Sequence, residues 1–222
     1  MNNIFSDTKE AFSLKSNFEL NRAYFLFKII GNKTIVKLST FLTKFALRFN
    51  LPVTPLIKAT VFDHFCGGVN EEDCMPVINK LFKSNVYSVL DFSTEGFDSE
   101  NEFDECLKKK ISIIDFIRNK EEIPFAVFKP TCLGSTELFK KISLNITLSR
   151  DEDLLWLKVI SRFEKVCQKA YEENIKILID AEEVEVQKAI DDLAILMMRK
   201  FNLSKPVVFN TIQMYRKDRL TF

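Results

Sequence analysis

The chain has 222 residues, of which 46% are hydrophobic and 28% are charged, and its formal net charge is +1. This composition is that of an ordinary globular protein, long enough to bury a core as one large domain or two small ones. The near-zero net charge argues against a nucleic-acid partner, because nucleic-acid-binding domains usually carry a basic excess.

The first part of the chain is predicted to be helical and is unusually aromatic. Residues 23–52, AYFLFKIIGNKTIVKLSTFLTKFALRFNLP, place apolar side chains at three- and four-residue spacing, with a break at Gly31-Asn32 and a stop at Pro52. We therefore predict an N-terminal helical region over residues 1–69. Two interpretations of it remain open: helices that pack their Phe faces on the rest of the protein, and a basic amphipathic surface that contacts a membrane.

Targeting signals and cysteine chemistry point to the cytoplasm. No apolar stretch approaches the roughly 18 residues that span a bilayer. The N-terminal residues MNNIFSDTKEAF lack the layout of a signal peptide. The five cysteines are widely spaced and contain no CxxC pair, which indicates reduced thiols rather than a zinc site or a disulfide framework.

From about residue 70, apolar strands alternate with amphipathic helices. The predicted strands are VYSVLDFSTEG (86–96), IPFAVFKPT (123–131), IKILIDAEE (175–183) and PVVFNTIQMY (206–215). This alternation indicates βα units and a parallel sheet, so the predicted fold class is α/β over residues 70–222. The unbroken apolar run 177–179 predicts a strand buried on both faces. Four strands form either a small open sheet or half of a (βα)₈ barrel, and the count alone does not decide.

Local motifs predict where two helices begin. Ser149 and Glu152 are spaced as a capping box for the helix that follows. The segment FCGGVNEED (65–73) lacks the spacing of a phosphate-binding loop and is predicted to be a loop that leads into a helix.

Polar side chains follow every predicted strand. They are Asp91 with Glu95, then Lys129, then Asp180 with Glu182 and Glu183, and finally Gln213 with Tyr215. In a barrel these ends meet on one face, where a lysine can bind an anionic substrate while an acid orients an amine. Taken singly, each could instead be a strand-end salt bridge or the start of a helix.

Other chemistries find little support. The single histidine, His64, excludes histidine-rich metal sites and makes a Ser-His-Asp arrangement implausible. A divalent cation held by the strand-end acids remains an alternative, although Lys129 in the same cluster argues against it.

In this order, the strand-end segments resemble the flavin-dependent proline dehydrogenases. The resemblance covers about residues 11–219. The matching segments are LIKATVFDHFCGG, SVLDFSTEG, FAVFKPT, ILIDAEE and VVFNTIQMYRKDRL, of which ILIDAEE is the most specific. The resemblance implies a distorted (βα)₈ barrel that holds FAD and oxidises L-proline to 1-pyrroline-5-carboxylate. Here it implies a partial barrel of about four βα units, preceded by the N-terminal helices.

The resemblance also implies roles for four residues. Lys129 matches the lysine that meets the proline carboxylate, and Asp180 matches the aspartate beside the bound proline. Gln213 matches the glutamine that hydrogen-bonds the flavin ring. Glu95 matches the acid that pairs with a late arginine and closes the site. No metal is implied.

The chain departs from the family pattern after its fourth strand. The arginine near the flavin, the contacts to the ribityl and adenine portions, and the paired arginines of the last helix have no counterpart. Arg216 and Arg219 lie too early to replace them. We therefore expect a fragment that binds FAD weakly or not at all and has low or no activity alone. The alternative is a non-catalytic half-barrel that assembles with a separately encoded second half.

The resemblance also suggests partners and a location. It implies L-proline as substrate and a membrane quinone as electron acceptor. The predicted location is the cytoplasm, and peripheral contact with the inner membrane is the alternative that the basic aromatic helices leave open.

Overall fold

The computed structural model describes residues 6–92 and 96–222. The chain divides into two compact units, Met1–Val77 and Ile78–Phe222. Within the described residues, no helix is both long enough and apolar enough to cross a bilayer.

The unit over Met1–Val77 is helical. Its elements are α1 (Thr8–Ala11), α2 (Asn17–Ile30), α3 (Lys33–Arg48), α4 (Thr54–Ile57), a π-helical turn (Lys58–Phe62), α5 (Asp63–Phe65) and the start of α6 (Glu71–Phe82). The predicted break is confirmed, since α2 ends at Ile30 with Gly31 as its C-cap, and the Asn32 side chain caps α3 by accepting the N–H of Thr34 and Ile35. The predicted loop before a helix is also confirmed by the start of α6.

Few side chains of this unit are buried. Among its described residues, the buried apolar side chains are those of Leu26 and Ala46. Large apolar side chains on α2 and α3 are exposed instead, for example Phe18 at 75% and Phe41 at 66%. The unit therefore presents a broad apolar surface.

The unit over Ile78–Phe222 is a layered α/β structure. Its strands are β1 (Val89–Leu90), β2 (Phe125–Phe128), β3 (Lys176–Ile179) and β4 (Val208–Asn210), and its further helices are α7 (Glu100–Ile117), α8 (Thr136–Ser143), α9 (Arg150–Glu172) and α10 (Val184–Phe201). All neighbouring strands are parallel and follow the order β1-β2-β3-β4. The prediction of four parallel strands in an α/β fold is confirmed.

The two faces of the sheet differ in burial. Ala126, Phe128, Ile177 and Ile179 are fully buried, and the Phe128 ring meets the Phe163 ring of α9 edge-on at 5.1 Å. Leu178, on the opposite face, is only half-buried. The prediction that the run 177–179 is buried on both faces is therefore wrong for Leu178. The physical reason is that the described helices cover one face of the sheet, and successive side chains of a strand alternate between faces.

Asparagines end five helices of the chain. Asn50, Asn85, Asn119, Asn145 and Asn174 have positive φ angles between 53° and 66°. After α3, α6, α8 and α9, the amide of the next residue bonds a carbonyl five positions back, as Ile175 does to Ala170 at 2.9 Å. This is the Schellman arrangement, and asparagine tolerates its left-handed position better than most other residues with a side chain. Three of these caps, at Asn85, Asn119 and Asn174, lie shortly before β1, β2 and β3.

A buried arginine joins α7, α9 and the turn after β2. Arg162 of α9 is 3% exposed and donates to Asp104 at 2.8 Å, to Glu100 at 2.9 Å and to the Leu133 carbonyl at 3.1 Å. Close by, a Cβ on Gly134 would lie 2.4 Å from Val159, so only glycine permits this approach to α9. The 3₁₀ turn Pro130–Leu133, which follows Lys129, is thus anchored to α9 through Arg162 and Gly134.

Candidate active site

A pocket of about 440 Å³ opens where β2 and β3 end. Its lining is strongly polar and carries both signs of charge: Gly96, Phe97, Asp98, Lys129, Thr131, Thr136, Lys140, Glu182, Glu183, Glu185 and Val186. Ligand sites of parallel α/β sheets lie at this edge, beyond the carboxyl ends of the strands. The pocket is therefore the candidate active site.

Glu182 ties the two strand ends together in this pocket. One carboxylate oxygen accepts the Thr131 backbone N–H at 2.8 Å, and the other accepts the Thr131 hydroxyl at 2.6 Å. Lys129 lies two residues before Thr131 and lines the same pocket. A cation and a carboxylate thus share one cavity, and a two-point hydrogen bond fixes the turn that carries the cation.

The Glu182 carboxyl is electrostatically unusual. Burial raises its pKa above its ordinary value of 4.5. The bonds from Thr131 and the nearby positive charge of Lys129 act in the opposite direction without cancelling the effect of burial. A carboxyl with a raised pKa beside a lysine is the kind of group that functional sites contain.

Asp180 lies at the end of β3, next to the end of β4. Its carboxylate accepts the Thr211 hydroxyl at 3.1 Å and the Ala181 N–H at 3.0 Å. The Thr211 hydroxyl oxygen in turn accepts the Ala181 N–H at 2.6 Å. Asp180 is half-buried and is absent from the lining of the pocket that holds Lys129.

Gln213 follows β4 and reaches back to β3. Its side-chain N–H donates to the Glu182 carbonyl at 2.7 Å. Its side-chain oxygen is buried and has no hydrogen-bond partner among the described residues. A buried amide oxygen without a partner is unfavourable, and such an atom calls for an explanation.

The region after β1 is described only in part. Glu95 lies outside the described residues, so its predicted role stays a prediction. Asp91, the other acid there, pairs with Lys110 of α7 at 3.0 Å, and Lys110 also donates to the Phe92 carbonyl at 3.0 Å. Lys110 is only 3% exposed. Asp91 thus ties β1 to a helix instead of lining the pocket.

The structure brings some of the predicted strand-end residues into one pocket and links others to it only through hydrogen bonds. It places Lys129 with Glu182 in one pocket, and it links Gln213 to the Glu182 backbone and Asp180 to Thr211. Sequence reasoning left Glu182 ambiguous, because an acid after a strand is usually a helix start. The signal that singles it out is Thr131, a donor at the neighbouring strand end 51 residues away.

Comparisons with known proteins agree with this architecture. A family model described as proline dehydrogenase matches residues 74–222. Proline dehydrogenase 1, mitochondrial, of Dictyostelium discoideum is 26% identical over 254 aligned positions, which cover 96% of this chain and 44% of that protein. The carbapenem antibiotics biosynthesis protein CarD of Pectobacterium carotovorum subsp. carotovorum is 30% identical over 158 residues, covering 71% of this chain and 42% of that one.

One solved structure shows the same fold. Proline utilization A from Bdellovibrio bacteriovorus, inactivated by N-propargylglycine, superposes with a TM-score of 0.60 at 18% identity, over 75% of this chain and 19% of that chain.

Fold and pocket together define an α/β protein with a polar site at the carboxyl edge of a parallel sheet. Since the family model covers most of the chain, the chain belongs to the proline dehydrogenase family. It spans less than half the length of the two curated relatives described above.

Proposed function

We propose that this site serves the FAD-dependent oxidation of L-proline to 1-pyrroline-5-carboxylate, the first step of proline catabolism. The observation that carries the proposal is the pocket at the ends of β2 and β3, which both Lys129 and Glu182 line. Gln213 is bonded to the Glu182 backbone beside it. Proline is a zwitterion, so a pocket with both a cation and carboxylates matches its two charges.

In this proposal Lys129 meets the proline carboxylate. The Thr131–Glu182 bonds fix the turn that follows Lys129, so the backbone that presents the cation is held in place before substrate arrives. Asp180, held by Thr211, orders the neighbouring part of the site. Glu95 matches the family acid that pairs with a late arginine and closes the site, and that arginine has no counterpart in this chain.

FAD would supply the acceptor for the hydride that leaves the proline ring. The fit can be judged at Gln213, because its buried side-chain oxygen has no partner among the described residues. A ring N–H of a flavin is a donor of the kind that this oxygen lacks. Its N–H side is already fixed by the Glu182 carbonyl, so the oxygen has one defined direction. The residues present fit the cofactor.

A second proposal concerns the face of the sheet that the described helices leave uncovered, the face that carries Leu178. Phe125 and Phe209 meet edge-on at 5.7 Å on this face, and both are only half-buried, as are Val127 and Leu178. In a closed barrel, side chains from other strands fill this space. We propose, as the alternative, a non-catalytic half-barrel whose sheet assembles with a second half supplied by another polypeptide.

The visible spectrum of the purified chain separates the two proposals. Flavin absorbance near-stoichiometric with protein, with proline-dependent reduction of a dye, would support activity of the chain itself. A colourless protein would exclude that activity and leave the half-barrel proposal. Co-expression with the remaining half of the Dictyostelium relative should then yield a complex; a stable monomer with no complex would contradict it.

The electron acceptor and the location are also proposals. We propose that α3 contacts an anionic lipid surface, where a membrane quinone accepts the electrons. In α3 all charged residues are basic, namely Lys33, Lys37, Lys44 and Arg48. Four of its exposed apolar side chains recur at three- and four-residue spacing, at Leu38, Phe41, Leu42 and Phe45. A helix with this pattern binds anionic interfaces through apolar burial and charge attraction.

Vesicle sedimentation tests the lipid contact. We expect the chain to sediment with vesicles that contain phosphatidylglycerol and to stay in solution with pure phosphatidylcholine. The variant Phe41→Ser should weaken sedimentation, whereas Phe18→Ser, at an even more exposed position of α2, should have a smaller effect. Equal binding to both vesicle types, or no binding, would overturn the proposal.

A further inference from the structure

A buried acid on α10 links the two strand ends of the site. Asp191 is 3% exposed, and its two carboxylate oxygens accept hydrogen bonds from three elements. One oxygen accepts from Gln187 at 2.9 Å and from Asn210 of β4 at 3.0 Å. The other accepts from Arg219, in the 3₁₀ turn Lys217–Leu220. We call Gln187, Asp191, Asn210 and Arg219 the Asp191 network.

The network reaches the pocket through Gln187. The Gln187 side-chain oxygen accepts the Glu182 backbone N–H at 2.8 Å, and Gln187 is itself 2% exposed. The Glu182 carbonyl accepts from Gln213 at 2.7 Å. Both backbone groups of Glu182 are therefore held by side-chain amides, one on each side.

The Asp191 carboxylate and the Glu182 N–H together set the direction of the Gln187 amide. A carboxylate only accepts hydrogen bonds, so the NH₂ group of Gln187 must face Asp191. The oxygen of Gln187 then faces the Glu182 N–H. A neutral amide at position 191 would remove the constraint on this side of Gln187, because it can donate as well as accept, and would leave only the Glu182 N–H to orient the side chain.

Through its bond to Arg219, Asp191 also anchors the segment that follows β4. This segment, residues 211–219, carries Gln213 and is bonded to β3 at its start through Thr211 and Ile179 at 3.1 Å. Arg219 pairs with Asp191 near its end and is itself only 10% exposed. Gln213 thus lies between two fixed points.

We infer that Asp191 is a positioning residue of the site: through Gln187 it orients the Glu182 peptide, and through Arg219 it anchors the segment that presents Gln213. What the positioned groups act on rests on the proposed function. The positioning itself can be tested without flavin or proline, so its failure and the failure of the proposed function are distinguishable.

The test is NMR and amide hydrogen exchange on the full chain. In Asp191→Asn we expect the Glu182 backbone amide and the Gln213 side-chain amide resonances to shift. We also expect exchange of the Glu182 amide to rise about tenfold or more, as the loss of a hydrogen bond supported by a charge implies. Amides in the middle of α9 should keep their exchange rates.

Asp192→Asn is the matched control, because Asp192 neighbours Asp191 on α10 but is exposed and pairs with Lys188. It should leave both resonances in place. Unshifted signals in Asp191→Asn, or faster exchange throughout α9 as well, would overturn the inference in favour of no role or a merely structural one.

A second variant covers the case in which Asp191→Asn does not fold. Arg219→Gln removes the ion pair between Arg219 and Asp191 and leaves the bond between Asp191 and Gln187 in place. It should shift the Gln213 side-chain amide and leave the Glu182 amide protected by Gln187. A Gln213 resonance unchanged in Arg219→Gln would contradict the anchoring role.

Discussion

The two units of the chain use similar residues in opposite ways. In the unit over Met1–Val77, phenylalanines of α2 and α3 are largely exposed. In the unit over Ile78–Phe222, Phe128, Phe139 and Phe163 are fully buried and contact one another. Hydrophobic composition is therefore a poor guide to where the core lies; what differs is whether an element has a partner for its apolar face.

Buried charged side chains of the two units differ in how many partners they have. In the second unit Lys110, Arg162 and Asp191 are buried and each has ionic and hydrogen-bond partners. In the first unit Arg22 has one bond to the Ala59 carbonyl and a distant pair with Asp63, and its Nε atom is buried with no partner among the described residues. Arg22 is therefore less firmly held than these three side chains, whereas the partnerless buried atoms of the second unit, such as Gln213 Oε1, lie at or after the end of β4.

The largest expected contrast comes from truncating one phenylalanine in each unit. Phe163→Ala removes a fully buried ring and should lower the free energy of unfolding by about 3–5 kcal/mol. Phe41→Ala, at a 66% exposed position, should change it by less than about 0.5 kcal/mol. Urea unfolding followed by Trp156 fluorescence and circular dichroism measures both. Similar losses in the two variants would mean that α3 is buried in solution.

An intermediate contrast comes from the two arginines. Arg162→Gln breaks bonds to two carboxylates and a carbonyl and should cost about 2 kcal/mol, since its acid partners are partly exposed and can be rehydrated. Arg22→Gln loses one bond and a pair at 3.9 Å and should cost less than about 1 kcal/mol. The same unfolding measurement compares them, and a larger cost at Arg22 would contradict the expected order of the two arginines.

The smallest expected effect is a pH dependence in the pocket. The folded pKa of Glu182 is raised, so its contribution to stability is fully present below its ordinary value of 4.5 and is lost as pH rises through the folded value. Glu182→Gln cannot titrate. The stability of this variant relative to the parent should therefore improve as the pH rises above 4.5. A difference that stays constant across this range would show that Glu182 titrates normally.

Local features of the fold could be predicted from the sequence. The break at Gly31-Asn32 and the capping box of Ser149 and Glu152 are confirmed, because each depends on residues within one helical turn. The alternation of strands and helices also predicts the parallel sheet. β1 proved shorter than its apolar segment, with two residues in the sheet, because its length depends on pairing with β2.

Long-range polar contacts could not be predicted. Arg162 and Asp191 occupy helix positions that face the core, yet their residue types indicate a surface position. Their burial depends on partners such as Asp104, 58 residues from Arg162, and Arg219, 28 residues from Asp191. The ambiguity of Glu182 has the same origin, since Thr131 lies on another strand.

The central claim is that the pocket around Lys129 binds the carboxylate of proline beside a flavin. The most direct test is the visible spectrum of the chain purified with the remaining half of the Dictyostelium relative, before and after L-proline is added. The parent should show flavin absorbance that proline bleaches. Lys129→Met should keep the flavin and lose the bleaching, while Lys165→Met, at an exposed position of α9, should behave as the parent. A flavin-loaded Lys129→Met complex that proline bleaches as fully as the parent would contradict the claim.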